Sequence, residues 1–138
     1  MKEVPRVVID NNVFISALLK SKNCSAILEA FLDGKFDLVI SEELISELID
    51  VVSQPKFSSI ILTKDINELL ELLSKEVEII LPKSKFFTCR DTKDNMVLEC
   101  AFSGDVECIV TGDNDLLELK KFKGIPILTP QKFLKYIK

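Results

Sequence analysis

Five aspartates carry the chemistry this chain can do: Asp10, Asp91, Asp94, Asp113 and Asp115. The chain contains no histidine. That excludes Ser-His-Asp and Cys-His nucleophilic chemistry and a histidine general base. Hydrolysis must therefore run on carboxylates, lysines or metal ions. Taken one at a time, an aspartate at a helix start satisfies orphan N–H groups and the helix dipole. Taken together at one edge of a sheet, they repel one another unless something positive sits between them. Mg²⁺ or Mn²⁺ suits such a set, because hard cations prefer oxygen ligands.

Helical phase separates these acids. In a helix over residues 92–102, Asp94 projects among Val97, Leu98 and Ala101, on the apolar face, where a purely solvated acid is out of place. Asp91 takes the N-cap position, and Asp94, three residues on, also fits a capping box. In the helix beginning at Glu42, the apolar stripe is Leu44, Ile45, Leu48, Val51 and Val52. Glu47 falls just outside it, Glu43 lies farther round and Asp50 farther still, so phase favours Glu47 for reaching over the core edge, with a solvated glutamate and Glu43, one turn away, as the alternatives. Asn12 stands two residues after Asp10, placed to orient it or to cap the next helix. Thr111 and Gly112 precede Asp113; the glycine permits a tight turn, and the hydroxyl can bond a ligand or the backbone. Asn95 has no assignment from chemistry alone.

The elements that position these residues alternate between strand and helix. Strands are expected over 6–10, 36–40, 77–81, 107–111 and 125–128, the last at an edge because of Pro126. Helices are expected over 11–20, from a cap at Asn23 or Ser25 to Asp33, over 42–53 behind Ser41, and from Thr63 as cap to 74. Others cover 92–102, a short segment opened by Asp113 after a turn at Gly112, and the C-terminal segment behind Thr129-Pro130. Residues near Ser58 form a turn, and 83–90 read as a loop. This alternation in so short a chain implies an α/β fold: a three-layer α/β/α sandwich around a mostly parallel sheet of about five strands. Ligands in such folds bind at the carboxyl ends of the strands. Asp10, the pair Asp91 and Asp94, and the pair Asp113 and Asp115 all lie there.

Composition sets outer bounds. A length of 138 residues fits a single domain over 1–138. Hydrophobic residues at 47% exclude a disordered chain. No apolar run approaches the roughly 20 residues of a membrane span. The start Met-Lys-Glu-Val-Pro-Arg has no apolar stretch behind a basic one, so a cytoplasmic protein is expected. Cys24, Cys89, Cys100 and Cys108 contain no C-x-x-C pair, which reads as reduced thiols rather than a zinc site. The net charge of −4 counts against a nucleic-acid binder, although bound divalent cations reverse the sign locally.

Four segments in order carry a family resemblance. Val8-Ile-Asp-Asn-Asn-Val-Phe14 resembles the opening of PIN domains, a hydrophobic strand ending in Asp-Thr-Asn. Asp91-Thr-Lys-Asp-Asn95 resembles their Asp-x-x-Asp-Asn helix start. Ile109-Val-Thr-Gly-Asp-Asn-Asp-Leu116 resembles their Thr-x-Asp-x-Asp-Leu block, and Glu43-Leu-Ile-Ser-Glu-Leu48 sits where the family has its helical glutamate. The match spans about residues 6–136 and is best to the branch of toxin components of toxin–antitoxin systems. It implies that Asp10, Glu47, Asp94 and Asp113 form an acidic quartet, that Asp115 is an additional acid, and that Asn12 and Thr111 support them, with Asn95 closing its motif. Asn11 departs from the usual threonine, which bears on the groups behind the ligands.

The same resemblance implies an endoribonuclease for single-stranded RNA using one or two Mg²⁺ or Mn²⁺ ions, a homodimer and an antitoxin partner. Lys93 and Lys22 are candidates to hold the RNA backbone, though solvation alone explains both. The rivals are a catalytically silent PIN-like module that binds RNA or protein, a haloacid-dehalogenase-like phosphatase and a receiver-like phosphoacceptor. The phosphatase wants Asp-x-Asp, and Asn12 stands at its third position. The receiver wants a lysine after a late strand, where this chain has Thr129-Pro130.

Overall fold

The computed structural model describes residues 4–138; Met1 to Glu3, which begin the segment read for a leader, lie outside them. The strands are β1 (Arg6–Ile9), β2 (Asp37–Ser41), β3 (Glu78–Ile80), β4 (Cys108–Val110), β5 (Lys121–Phe122) and β6 (Ile125–Leu128). The helices are α1 (Asn11–Leu18), α2 (Lys22–Leu32), α3 (Glu42–Val52), α4 (Pro55–Ser58), α5 (Thr63–Lys75), α6 (Thr92–Ser103), α7 (Asn114–Leu117) and α8 (Pro130–Tyr136). One sheet forms in the order β3-β2-β1-β4-β6-β5. All pairs are parallel except β5 with β6.

Both faces of the sheet are covered. Val7 and Val8 point to opposite faces of β1, yet each is 0% exposed. Cys108, Ile109 and Val110 of β4 are buried likewise, as continuous apolar strands of a parallel sheet require. One helical group joins α1, α2 and α8; another joins α3 and α6, with α6 running beside β1, β2 and β4. On α3 the buried residues are Leu44, Leu48 and Val52, with Ile45 and Val51 partly buried beside them. Among the described residues no helix is long and apolar enough to cross a membrane. All four cysteines are free. Burial pushes the thiols of Cys100 and Cys108 up to about 12, which keeps both protonated and inert.

Several caps form as expected. Ser41 accepts from the Leu44 N–H at 3.2 Å and Thr129 from the Lys132 N–H at 3.2 Å. Others do not. The cap position of α2 belongs to Ser21, and that of α5 to Leu62, neither with a side-chain bond. Asn23, Ser25 and Thr63 instead lie inside the first turns, because packing set the helix starts ahead of them. The turn near Ser58 is the short helix α4.

The sheet has one strand more than expected. Lys123 (φ 53) and Gly124 (φ 82) form a two-residue turn between β5 and β6. Two left-handed residues in a row give the twist that a tight hairpin needs. Pro126 therefore does not lie at the edge: β6 pairs with β4 on one side and β5 on the other. Pro126 has no N–H to give, and Ile127 supplies the donor, bonding the Lys120 carbonyl at 3.0 Å.

Gly104 ends α6 in an ordinary backbone conformation, φ −83, so its role is space. A Cβ there would lie 2.7 Å from Val39 Cγ1 and 3.0 Å from the Cys100 carbonyl. Val39 is a stiff, buried strand residue and cannot turn aside. Gly104→Ala is expected to cost about 1–3 kcal/mol through overpacking, read as a lower urea midpoint at unchanged m value.

Candidate metal centre

The strand order defines where a ligand fits. From β1 the chain builds outwards to β2 and β3, then returns to place β4 on the other side of β1 and β6 beyond it. The carboxyl ends of β1 and β4 form the point where the winding reverses, and a crevice opens there in folds of this kind. Asp10 follows β1; Thr111 and Asp113 follow β4. Asp10 N donates to the Val110 carbonyl at 2.9 Å, so the two strand ends stay paired up to the crevice.

Asp10 is held on both oxygens. Oδ1 accepts from the Asn12 N–H at 3.4 Å, capping α1, and Oδ2 accepts from Thr111 Oγ1 at 2.7 Å. Thr111 Oγ1 in turn accepts from the Asp113 N–H at 3.0 Å, which directs the hydroxyl proton towards Asp10. Burial raises the Asp10 carboxyl above its ordinary value, the bonds from Thr111 and Asn12 pull it back, and the charges of Asp113 and Glu47 raise it further. The Asn12 side chain stays exposed, and its backbone makes the contact. Gly112 needs neither a left-handed backbone nor clearance for a Cβ, so the turn before Asp113 does not depend on it.

Asp94, Asp113 and Asp115 each offer an oxygen within 4.8 Å of the other two. Asp113 Oδ1 caps α7 by accepting from the Asp115 N–H at 2.9 Å. Asp115 faces outwards, with Arg90 at 3.4 Å. Asp94 is only 5% exposed, and its Oδ2 is buried with no hydrogen-bond partner. Burial, the Asp113 carboxylate set against it, and the charges of Asp113, Asp10 and Asp91 raise Asp94 to about 7. A buried, orphaned carboxylate oxygen beside two other carboxylates fits a divalent cation, which would satisfy the oxygen and neutralise the repulsion together.

Glu47 faces the same crevice, and Glu43 is exposed elsewhere on α3. Asn11, 2% exposed, donates its Nδ2 to the Leu44 carbonyl at 2.8 Å and to Glu47 Oε1 at 2.7 Å. It thereby ties α1 to α3 and aims the glutamate. Lys93 Nζ lies 3.5 Å from the other oxygen, Oε2. The cleft of about 300 Å³ is lined by Asp10, Glu47, Asp91, Asp94 and Asp113, with Lys56 and Lys93 at hand.

The structure thus brings Asp10, Glu47, Asp94 and Asp113 together, with Asp115 close to Asp94 and Asp113 on the outer side. Lys22 lies elsewhere, beside α8. Asn95 does not line the cleft; both its polar atoms bond Cys89, Nδ2 to the carbonyl at 3.0 Å and Oδ1 from the N–H at 2.9 Å. Sequence reasoning left Asn11 without a partner and passed over Lys56. Lys56 carried no signal of its own, since α4 alone carries it to the rim.

Asp94 predicts a pH dependence. Its folded-state value of about 7 stands above the ordinary 3.8. Between those two values the folded chain binds the extra proton, so its contribution to stability falls as pH rises. In EDTA, Asp94→Asn is therefore expected to gain on the wild type across that window and to hold the advantage at pH 8. Melting curves at several pH values check this. A divalent cation at about 100 times its dissociation constant should stabilise the wild type by about 2.7 kcal/mol and Asp94→Asn far less.

Comparison with known proteins identifies the family. The model of the family described as "PIN domain" matches residues 6–115. The uncharacterized protein MJ1680 of Methanocaldococcus jannaschii is 31% identical over 139 residues, covering 94% of this chain and 89% of that protein. The crystal structure of FitAcB from Neisseria gonorrhoeae superposes with a TM-score of 0.53 at 16% identity, covering 91% of this chain and 98% of that one, which speaks to the fold alone. The chain belongs to the PIN domain family.

Proposed function

We propose that this chain, acting as one catalytic domain over residues 1–138, is a metal-dependent endoribonuclease that hydrolyses phosphodiester bonds of single-stranded RNA. Family membership supports a nuclease. The observation that carries the reading is the orphaned Asp94 Oδ2 buried among carboxylates at the winding reversal. Asp94, Asp113 and Asp10 would hold Mg²⁺ or Mn²⁺, with Asp115 and Glu47 completing one or two sites. A bound cation would supply the positive charge that activates water and offsets the negative charge on the phosphoryl oxygens.

The chain's own residues do the rest. Thr111 fixes the direction of Asp10, and Asn11 fixes that of Glu47. Asp94 would have to be ionised to hold a cation, so cation binding is expected to strengthen with pH. Lys93 and Lys56 place ammonium groups at the rim for the phosphate backbone. No side-chain nucleophile is needed, which suits a chain without histidine. As the toxin of a toxin–antitoxin pair, it would work in the cytoplasm as a homodimer neutralised by an antitoxin protein.

Labelled single-stranded RNA incubated with Mn²⁺ or Mg²⁺, and then with EDTA, tests this. Cleavage should require the metal and disappear in Asp10→Asn. Thr111→Val should lower kcat/KM by about 10- to 100-fold, the usual effect of losing an outer partner of a ligand. Glu47→Gln should lose activity and Glu43→Gln should keep it. RNA binding without cleavage under any metal would favour the silent binding module, and hydrolysis of a phosphate monoester would favour the phosphatase.

A further inference from the structure

A row of three side chains on α6 holds a strap of irregular chain. Asn95, Glu99 and Ser103 are spaced by four, so they stack along one helix face about 6 Å apart. Asn95 bonds the backbone of Cys89 in both directions, Glu99 Oε2 accepts from the Phe86 N–H at 2.9 Å, and Ser103 Oγ accepts from the Lys83 N–H at 3.0 Å. The strap is therefore bound at 83, 86 and 89, running antiparallel to α6. Glu99 is a buried carboxylate that the metal centre does not use.

What the strap displays is not explained by packing. Phe86 turns inwards, edge-on to Phe102 at 5.5 Å and to Phe122 at 4.9 Å. Its neighbour Phe87 is 89% exposed. Lys83, Lys85 and Arg90 are exposed around it. The turn beside the strap adds Lys120, Lys121 and Lys123; Lys123 Nζ lies 5.8 Å from the Phe86 ring and 5.9 Å from Phe122. Lys123 takes the left-handed conformation, one a side chain adopts at a cost. Residues 83–90 and 120–124 thus hold six of the chain's 18 basic residues and no acid, in a chain of net charge −4. The strap ends at the acidic cleft: Arg90 contacts Asp115, and Asp91 lines the cleft. From Phe87 to Asp91 is at most about 14 Å.

We propose that the strap 83–90 and the turn 120–124 form a track for single-stranded nucleic acid leading into the acidic cleft, with Phe87 stacking a base and Lys83, Lys85 and Lys123 contacting phosphates. Cations interleaved with an open aromatic ring are the chemistry such a strand needs. The four bonds to α6 pre-order the track, so little entropy is lost when the strand binds. As a route for substrate, this rests on the nuclease reading above.

The test is fluorescence anisotropy of a labelled single-stranded RNA of mixed sequence in EDTA, run beside the cleavage assay in Mn²⁺. Phe87→Ala removes an exposed ring and leaves the fold alone; it is expected to weaken binding about tenfold or more, the size of one lost base stack. Lys83→Gln combined with Lys85→Gln should lower the salt dependence of log K by about 1.4, at about 0.7 per phosphate contact. Lys22→Gln, on α2, should change neither. Variants that bind and cleave like an active wild type would overturn the track and leave the nuclease standing. Wild-type binding that the variants lose, with no cleavage by any protein, would overturn the nuclease and keep the track as a binding surface. Phe87→Ala turning a dimer into a monomer at unchanged RNA affinity would overturn the track and assign the face to a second copy of this chain.

Discussion

Carboxylates held within a few ångströms of one another repel, and burial makes that repulsion stronger because less water screens it. This chain builds its crevice around that conflict. Asp94, Asp113 and Asp115 converge, Asp10 and Glu47 face the same cleft, and Asp94 is left with an oxygen that nothing among the described residues satisfies. Among the described residues Lys93 is the one ammonium paired with a cleft acid, and it meets Glu47. The remaining frustration is relieved by a proton on Asp94 or by a cation. The rest of the fold keeps the acids from moving apart.

That restraint comes from short polar links at strand and helix ends. Thr111 joins the ends of β1 and β4 through Asp10 and also receives the Asp113 N–H, so one hydroxyl registers two of the acids. Asn11 does the same for α1 and α3. Its Oδ1 is buried without a partner, a cost that the two bonds from its Nδ2 must outweigh. A threonine at that position, the commoner residue in the family, is too short to repeat both bonds and carries a single donor.

The helix α6 works on two faces. One carries Asp94 towards the cleft above the buried Val97, Leu98 and Ala101. The next carries Asn95, Glu99 and Ser103 to the strap. A helix buried on so many sides has little amphipathic contrast, which explains how Asn95 and Glu99 come to lie buried next to an apolar stripe. The two faces share one rigid rod, so the position of the strap is coupled to that of Asp94.

Local sequence determined the strands of the central sheet, the caps Ser41, Asp91, Asp113 and Thr129, and the apolar phase of α3 and α6, whereas the cap of α1 proved to be Asp10 and not Asn12. Those follow from periodicities and cap chemistry that operate within a few residues. Phase on one helix put Glu47 nearer the core edge than Glu43 but left both open as the helical acid; the bond from Asn11, which only tertiary packing makes, brings Glu47 to the cleft. Tertiary structure alone decided the rest. Asn23, Ser25 and Thr63 had the chemistry of caps, but packing of α2 and α5 set their starts one or more residues earlier. The strand β5 has two residues and a Lys-Gly turn, too little signal to read without Phe122 seen packing on Phe86. Asn95 stands next to Asp94 in sequence yet turns to the strap, since neighbouring helical residues point about 100° apart. Asn11 and Glu47 are 36 residues apart and meet only when α1 and α3 pack. Partners so distant are brought together by folding of the whole sheet, and no local pattern encodes them.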